Sequence, residues 1–302
     1  MLFPGNNEHP GHHAGAYDRS TERWRRVLPV VVILLLIALI AWPFLEPYAL
    51  QVEAVTLRSA DFPEAIGQLR VVYVSDIHAG EFFSAARVDD LVTRINALSA
   101  DIVLLGGDYA QDSAGAVAFF RSLPRIHARY GVYAVPGNHD RTTPESNLNQ
   151  LRAAMQAANV TPLINTVVPV RVGAGTIWLA GVDDINCGHP ELSSVAAQVR
   201  RDDYVIFLCH SPAIIPDALD ARDADWNVGW FDLGLFGHTH GGQVALFGGL
   251  VRDERVPEQY VSGLTRVNRS DLLISRGVGM SVLPVRLLCP PQIHQITITT
   301  LD

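Results

Sequence analysis

Apolar positions follow two regimes along this chain. Near the N-terminus they are continuous: "VLPVVVILLLIALIAWPFL", Val27 to Leu45, runs for 19 residues without a charge. At about 1.5 Å per residue, a helix of that length reaches about 28 Å, close to the thickness of a hydrocarbon core. The run is longer than a secretory h-region and no A-x-A site follows it, so 27–45 predicts an uncleaved transmembrane anchor. Residues 1–26 are polar and read as a disordered tail, and 46–50 as a short tether. Trp24, Trp42 and Tyr48 suit interface anchors.

Beyond residue 50 the apolar residues come in short runs. Leu69–Asp76, Asp101–Asp108 and Gly131–Asp140 read as buried strands. Between the first two, Val88, Leu91, Val92, Ile95 and Leu98 form a helical stripe behind Ser84, a suitable N-cap. Thr143-Pro144-Glu145 predicts the start of another helix, with proline at its first position. Further strands are expected at Val167–Val172, Thr176–Val182, Tyr204–Cys209, Leu233–Gly237, Leu272–Ser275 and Ile293–Thr300. The pattern predicts one α/β domain over 51–302, with a mixed sheet or two packed sheets.

Charge orients the anchor. Arg19, Arg23, Arg25 and Arg26 precede it, whereas Glu46 and Glu53 follow it and no basic residue appears before Arg58. This bias puts the tail in the cytoplasm and the domain across the membrane. Arg25-Arg26 also admits a twin-arginine export reading. The net charge of −8 argues against a nucleic-acid partner. Three cysteines do not make a disulfide framework, and Cys209 and Cys289 read as buried thiols.

The chemistry lies where strands end. The ends carry Asp76 and His78; Asp108; Asn138, His139 and Asp140; His210; and His238 and His240. Ligands gather beyond the carboxyl ends of strands in α/β sheets. Asp-x-His and His-x-His on an extended chain would each aim two groups at one point. Carboxylate, amide oxygen and imidazole are ligands for Mn, Fe, Zn or Co. There are too many for one ion, and the set suits two ions sharing a carboxylate. Tyr109 is a possible supporting residue, and Asp183-Asp184 either reaches the rim or makes a turn. His127, His189 and His294 have no such context and read as structural.

In order, "DIH…GGD…GNHD…H…GHTHGGQ" resembles the calcineurin-like metallophosphoesterase superfamily, over about Gln51 to the C-terminus. "AGVDD" and "ISRGVGMSVLPVRLLCPPQI" make it similar to the membrane-anchored YkuE/YaeI-like phosphodiesterase branch. The resemblance implies a four-layer αββα sandwich of two mixed β-sheets flanked by helices, preceded by one transmembrane helix. It implies two divalent metal ions, Mn, Zn or Fe. One would be held by Asp76, His78, Asp108 and His240, and the other by Asp108, Asn138, His210 and His238, with Asp108 bridging. A metal-activated hydroxide would then attack a phosphoester, with a phosphodiester on a small or lipid-linked substrate as the leading reading. His139 is assigned to leaving-group protonation, with Asp140 holding its tautomer and raising its pKa. The implied setting is a bacterial inner membrane, with the catalytic domain on the extracytoplasmic face. Three alternatives stay open: hydrolysis of UDP-2,3-diacylglucosamine in lipid A synthesis, whose substrate is cytoplasmic; a non-catalytic metal-bound membrane scaffold; and a nuclease.

Overall fold

The computed structural model describes residues 19–142, 148–245 and 249–301. Arg19–Leu45 is one helix, α1. It starts ahead of the predicted span, so Arg19, Arg23, Arg25 and Arg26 are helical too. Val27–Tyr48 is long and apolar enough to cross a membrane, and the large apolar side chains from Val27 to Ile40 are exposed. The chain divides into two units, Met1–Trp42 and Pro43–Asp302.

The second unit is built on two six-stranded sheets. The first contains β1 (Gln51–Ser59), β2 (Gln68–Val74), β3 (Ile102–Leu105), β4 (Val132–Ala134), β5 (Val160–Pro162) and β12 (Gln292–Thr300). Its order is β1-β12-β2-β3-β4-β5. Strands β2 to β5 are mutually parallel, β12 is antiparallel to β2, and β1 is parallel to β12. The second sheet contains β6 (Thr166–Val172), β7 (Gly175–Gly181), β8 (Val205–Leu208), β9 (Leu233–Phe236), β10 (Gly263–Val267) and β11 (Ser270–Ile274). Strands β7, β8, β9 and β11 are parallel, and β6 and β10 close the edges antiparallel.

Strand alternation sorts the core into layers. Val71 and Tyr73 of β2, with Ile102 and Leu104 of β3, pack against Leu179, Ile206, Leu208 and Leu235 of the other sheet. Val72 and Val74 point the other way, into a core shared with α2 (Ala85–Ala97), α3 (Ser113–Ser122) and α4 (Leu148–Ala157). Val205 and Phe207 of β8 do the same towards α5 (Leu192–Ala196) and α6 (Ile215–Asp220). The result is the expected αββα sandwich of two mixed sheets.

Several elements differ from the pattern-based reading. β1, α3 and β10 were not expected, because the half-exposed Gln51–Ser59 and Gly263–Val267 lack an apolar run. Ser84 sits at the N-cap of α2 but its side chain makes no capping bond. The predicted helix start at Pro144 lies outside the described residues. The 46–50 stretch is docked rather than loose. Glu46–Tyr48 is a 3₁₀ turn, and the buried Glu46 carboxylate accepts the amides of Leu288 (3.1 Å) and Cys289 (2.5 Å).

Candidate metal centre

Five strand ends, three from the first sheet and two from the second, bring the site together. Asp76 and His78 follow β2, Asp108 follows β3, Asn138 and His139 follow β4, His210 follows β8, and His238 and His240 follow β9. All seven candidate ligands converge. His78 Nε2 lies 3.1 Å from His240 Nε2 and 3.5 Å from Asp108 Oδ2. His210 Nε2 is 3.1 Å from Asp108 Oδ2, and His240 Nε2 is 3.6 Å from Asp76 Oδ1. His238 Nδ1 is 2.9 Å from Asn138 Oδ1.

The means of convergence is not the extended spacing expected from the sequence. Asp76 (φ 55°), His78 (47°), Asp108 (55°), His238 (69°) and His240 (50°) all adopt the left-handed region. For non-glycine residues this conformation costs roughly 1–3 kcal/mol each and clusters at functional sites. A tight left-handed turn, rather than the period of a strand, aims both members of Asp-x-His and His-x-His inward. Two glycines make room. A Cβ on Gly137 would lie 2.2 Å from Asp108 Oδ1, and one on Gly237 would lie 2.4 Å from Asp76 Oδ2.

Whether this donor set fits cations can be tested on its unpaired atoms. Asp76 Oδ2, His78 Nδ1, His210 Nε2 and His240 Nδ1 are buried without a hydrogen-bond partner among the described residues. Such atoms normally cost about 1–3 kcal/mol each when left unsatisfied. His210 donates Nδ1–H to the carbonyl of Gly106 (2.8 Å), and burial opposes but Asp108, 3.1 Å from Nε2, raises its pKa well above the usual range, so Nε2 holds a proton that a cation there would replace. Burial pushes His78 down to about 4 against the pull of Asp108. Burial also lowers His240, helped by His78, and lowers His238, helped by His210. Neutral imidazole is the ligating form. Burial opposes ionisation of Asp108, but His210 and His78 hold its carboxyl well below the usual range. Three groups have ligand atoms close enough for one ion: Asp76, His78 and His240; His78, Asp108 and His139; and Asp108, His210 and His238. The residues fit divalent cations.

The Asp140 assignment needs correction. Its carboxylate accepts the amides of Asp108 (2.8 Å), Gly137 (2.8 Å) and Tyr109 (3.0 Å). The 3₁₀ turn His139–Arg141 sends successive side chains in different directions, so Asp140 goes into the core and His139 to the surface. The partner of His139 Nδ1 is instead the carbonyl of Gln111, at 3.0 Å. Because a carbonyl only accepts, Nδ1 carries the proton and Nε2 is the other ring atom. The His139 ring stands edge-on to His78, with centroids 4.9 Å apart.

Tyr109 serves the core: its ring packs on Phe119 and Phe120 and its hydroxyl is 2.7 Å from the Val135 carbonyl. Asp183 and Asp184 make a turn, with Asp183 paired to the buried Arg141 at 3.0 Å. Thr239 points away from the site, its hydroxyl on the Val261 carbonyl at 2.6 Å.

Four further contributors were given no role at the site by the sequence reading. The Asp253 carboxylate accepts a hydrogen bond from His238 Nε2 at 3.1 Å, so His238 lies between Asn138 and Asp253. Gln243, fully buried, holds the 281–283 segment through Ser281 and Leu283. Arg286, also fully buried, donates to the carbonyls of Arg276, Gly279 and Cys289. Cys289 Sγ reaches the His240 carbonyl at 3.0 Å. A cleft of about 110 Å³ opens over Asp108, Asn138, His139 and His240, with Arg252 and Ser281 on its walls. A larger cavity of about 790 Å³ shares Thr239, Val251, Arg252 and Asp253 with it.

A two-sheet sandwich gathers carboxylates and imidazoles that could hold metal at its strand ends. Residues 69–242 match the family model for calcineurin-like phosphoesterases, more than half of the chain, and the chain belongs to that family. It is 26% identical over 84% of its length to the metallophosphoesterase YkuE of Bacillus subtilis, covering 87% of that protein. It is 28% identical over 81% of its length to the phosphodiesterase YaeI of Escherichia coli, covering 87% of it. It is also 29% identical, over 78% of its length, to a bovine transmembrane protein with a metallophosphoesterase domain, of which it spans 54%. The protein is thus a phosphoester hydrolase with a cluster suited to metal and one apolar helix that suggests membrane association.

Proposed function

We propose that this protein is a membrane-anchored, dinuclear-metal phosphodiesterase. Asp76, His78, Asp108 and His240 would hold one divalent ion, and Asp108, Asn138, His210 and His238 the other, with Asp108 shared. The observation that carries this reading is the convergence of carboxylate, amide and imidazole side chains from five strand ends, with unpaired buried atoms on Asp76, His78, His210 and His240. Bound there, two such cations supply positive charge to phosphate oxygens and acidify water towards a nucleophile near neutral pH.

The chain's own residues supply the rest. His139 sits half-buried at the cleft, its Nδ1–H held by Gln111. Protonated, its Nε2 can give a proton to the departing alkoxide. The Arg252 guanidinium, 60% exposed on the cleft wall, can pair with a non-bridging phosphate oxygen. The larger cavity beside it has room for the substrate's second ester group. The resemblance to YaeI, named a phosphodiesterase, supports the diester reading.

The arginines ahead of the span favour a cytoplasmic tail and a catalytic domain on the far side of a bacterial inner membrane. A reporter enzyme active only outside the cytoplasm, fused after Asp302, tests this. Inactivity there would favour the cytoplasmic lipid A precursor as substrate. The deciding experiment for the chemistry is metal reconstitution with Mn, Zn or Fe, followed by assays on a phosphodiester, a phosphomonoester and a lipid-linked phosphoester. No turnover of any of the three with any metal would overturn the proposal.

A further inference from the structure

The segment Ser281–Leu288 joins two places already described. At one end Ser281 lines the cleft over Asp108, His139 and His240. At the other, Leu288 binds the carboxylate of Glu46, where the chain leaves its apolar span. Its exposed large side chains are all apolar: Val282 is 70% exposed, Leu288 63% and Leu283 47%. The one charged side chain of the segment, Arg286, is fully buried. Leu250, bonded through its amide to Gly242, adds a further exposed apolar group beside this loop. Contiguous exposed apolar surface next to a site marks an interaction surface.

The loop is not loose. Gln243 donates to the carbonyls of Ser281 (2.7 Å) and Leu283 (2.8 Å) and accepts the amide of Ser281 (2.8 Å). Val282 and Leu288 sit at positive φ, 62° and 55°. A β-branched residue there is strained, yet its side chain is turned outward rather than packed. The chain leaving the span is fixed to the same surface. The Pro43 carbonyl accepts the amide of Arg286 at 2.9 Å. The Pro47 carbonyl accepts from Arg87 at 2.6 Å, and that guanidinium lies 4.7 Å from the Tyr48 ring. Phe44, Leu45 and Tyr48 are exposed alongside. The apolar loop is thereby tied by hydrogen bonds to Pro43 and Glu46, at the end of the apolar span.

We propose that Val282, Leu283 and Leu288 contact the bilayer and seat the mouth of the site on the headgroup layer, so that the substrate is a phosphoester carried by a membrane lipid. The occupant is a lipid surface because the loop is hydrogen-bonded to Pro43 and Glu46, the residues that end the apolar span. The substrate class rests on the phosphodiesterase reading above; the bilayer contact does not.

The full chain, reconstituted in vesicles of phosphatidylethanolamine and phosphatidylglycerol, separates these points. Val282→Cys in a Cys187→Ser background would carry an environment-sensitive fluorophore. Trp226→Cys, at an exposed apolar position 78% accessible, serves as the comparison. The label at 282 should shift to the blue and be quenched by lipids spin-labelled near the headgroup, and the label at 226 should not. An unquenched label at 282, whether in water or covered by a second copy of the chain, overturns the contact. Activity is then compared on a vesicle-embedded diacylglycerol p-nitrophenyl phosphodiester and on soluble bis(p-nitrophenyl) phosphate. Val282→Asp with Leu288→Asp should lose about tenfold or more on the embedded substrate, the scale of one buried aliphatic side chain, and keep its soluble rate. Equal retention on both overturns the substrate class. Failure of the unmutated protein on both, with metal present, instead overturns the phosphodiesterase reading and leaves the fluorescence result to decide the contact.

Discussion

Asp140 lies beneath Asp108, its carboxylate 2.8 Å from the Asp108 amide, and takes no part in orienting the imidazole next to it in sequence. The two neighbours therefore predict different losses. Asp140→Ala strips three buried amides of their acceptor, at about 1–3 kcal/mol for each unsatisfied group. Its melting temperature should drop and metal binding weaken with it. His139→Ala should keep fold and metal and lose about 10²–10⁴ in rate on a substrate with a poor leaving group. Thermal unfolding and kcat measured side by side check this. A fully stable Asp140→Ala protein with the kinetics of His139→Ala would restore the rejected tautomer role.

Asp253 reaches His238 on the side opposite Asn138. A carboxylate on the second nitrogen of a ligating histidine fixes its ring, and losing it typically costs about 10–100-fold in metal affinity or activity. Asp253→Ala should show that loss by metal titration. Arg255 holds Asp253 through both carboxylate oxygens, at 2.9 Å each, so Arg255→Ala should show a smaller loss in the same direction. Unchanged metal affinity in Asp253→Ala would reduce this contact to a surface pair.

Chelation by EDTA should abolish activity and lower the melting temperature, and both should return on adding metal. The second effect follows because an ion bound only by the native state stabilises it by mass action. Asp108→Ala, which removes the shared carboxylate, should lose both ions by elemental analysis. Full activity in chelator would defeat the metal-dependent reading outright.

His294 predicts an acid-sensitive fold at a distance from the cleft. Neither ring nitrogen has a hydrogen-bond partner among the described residues, and burial, then Arg276, pushes its pKa from 6.5 to about 4. Between those values the unfolded chain binds the proton and the native state does not. Stability is therefore fully present above about pH 6.5 and falls as the pH drops towards 4, by on the order of 3 kcal/mol at about 1.4 kcal/mol per unit. In His294→Phe, denaturant unfolding should show a flatter limb across this window. An identical limb would place the acid sensitivity elsewhere.

The legible part of this protein was the part written in short-range pattern. Apolar runs marked β2, β3, β4, β8 and β9, and the chemistry at their ends named the seven converging side chains. The layers followed because Val71 and Val72 face opposite ways. What the pattern missed depends on contacts across long stretches of chain. Glu46 meets Cys289, and Asp253 meets His238, through loops with no periodicity. Spacing also misled once. Asp76-x-His78 suggested an extended pair, but the backbone turns left-handed at both residues. The consecutive Asn138-His139-Asp140 could not reveal which of its side chains turns inward, because that is decided by the amides of Asp108 and Tyr109.

Strand β12, Gln292–Thr300, lies between β1 and β2 and, among the described residues, is the only strand that β1 pairs with in its sheet. The first sheet cannot be finished in the order in which it is made. At about 5–20 residues per second, β2 waits roughly ten to forty seconds of synthesis with one edge open. During that time the nascent chain carries an unpaired sheet edge. A premature stop anywhere before Gln292 would leave that edge open permanently.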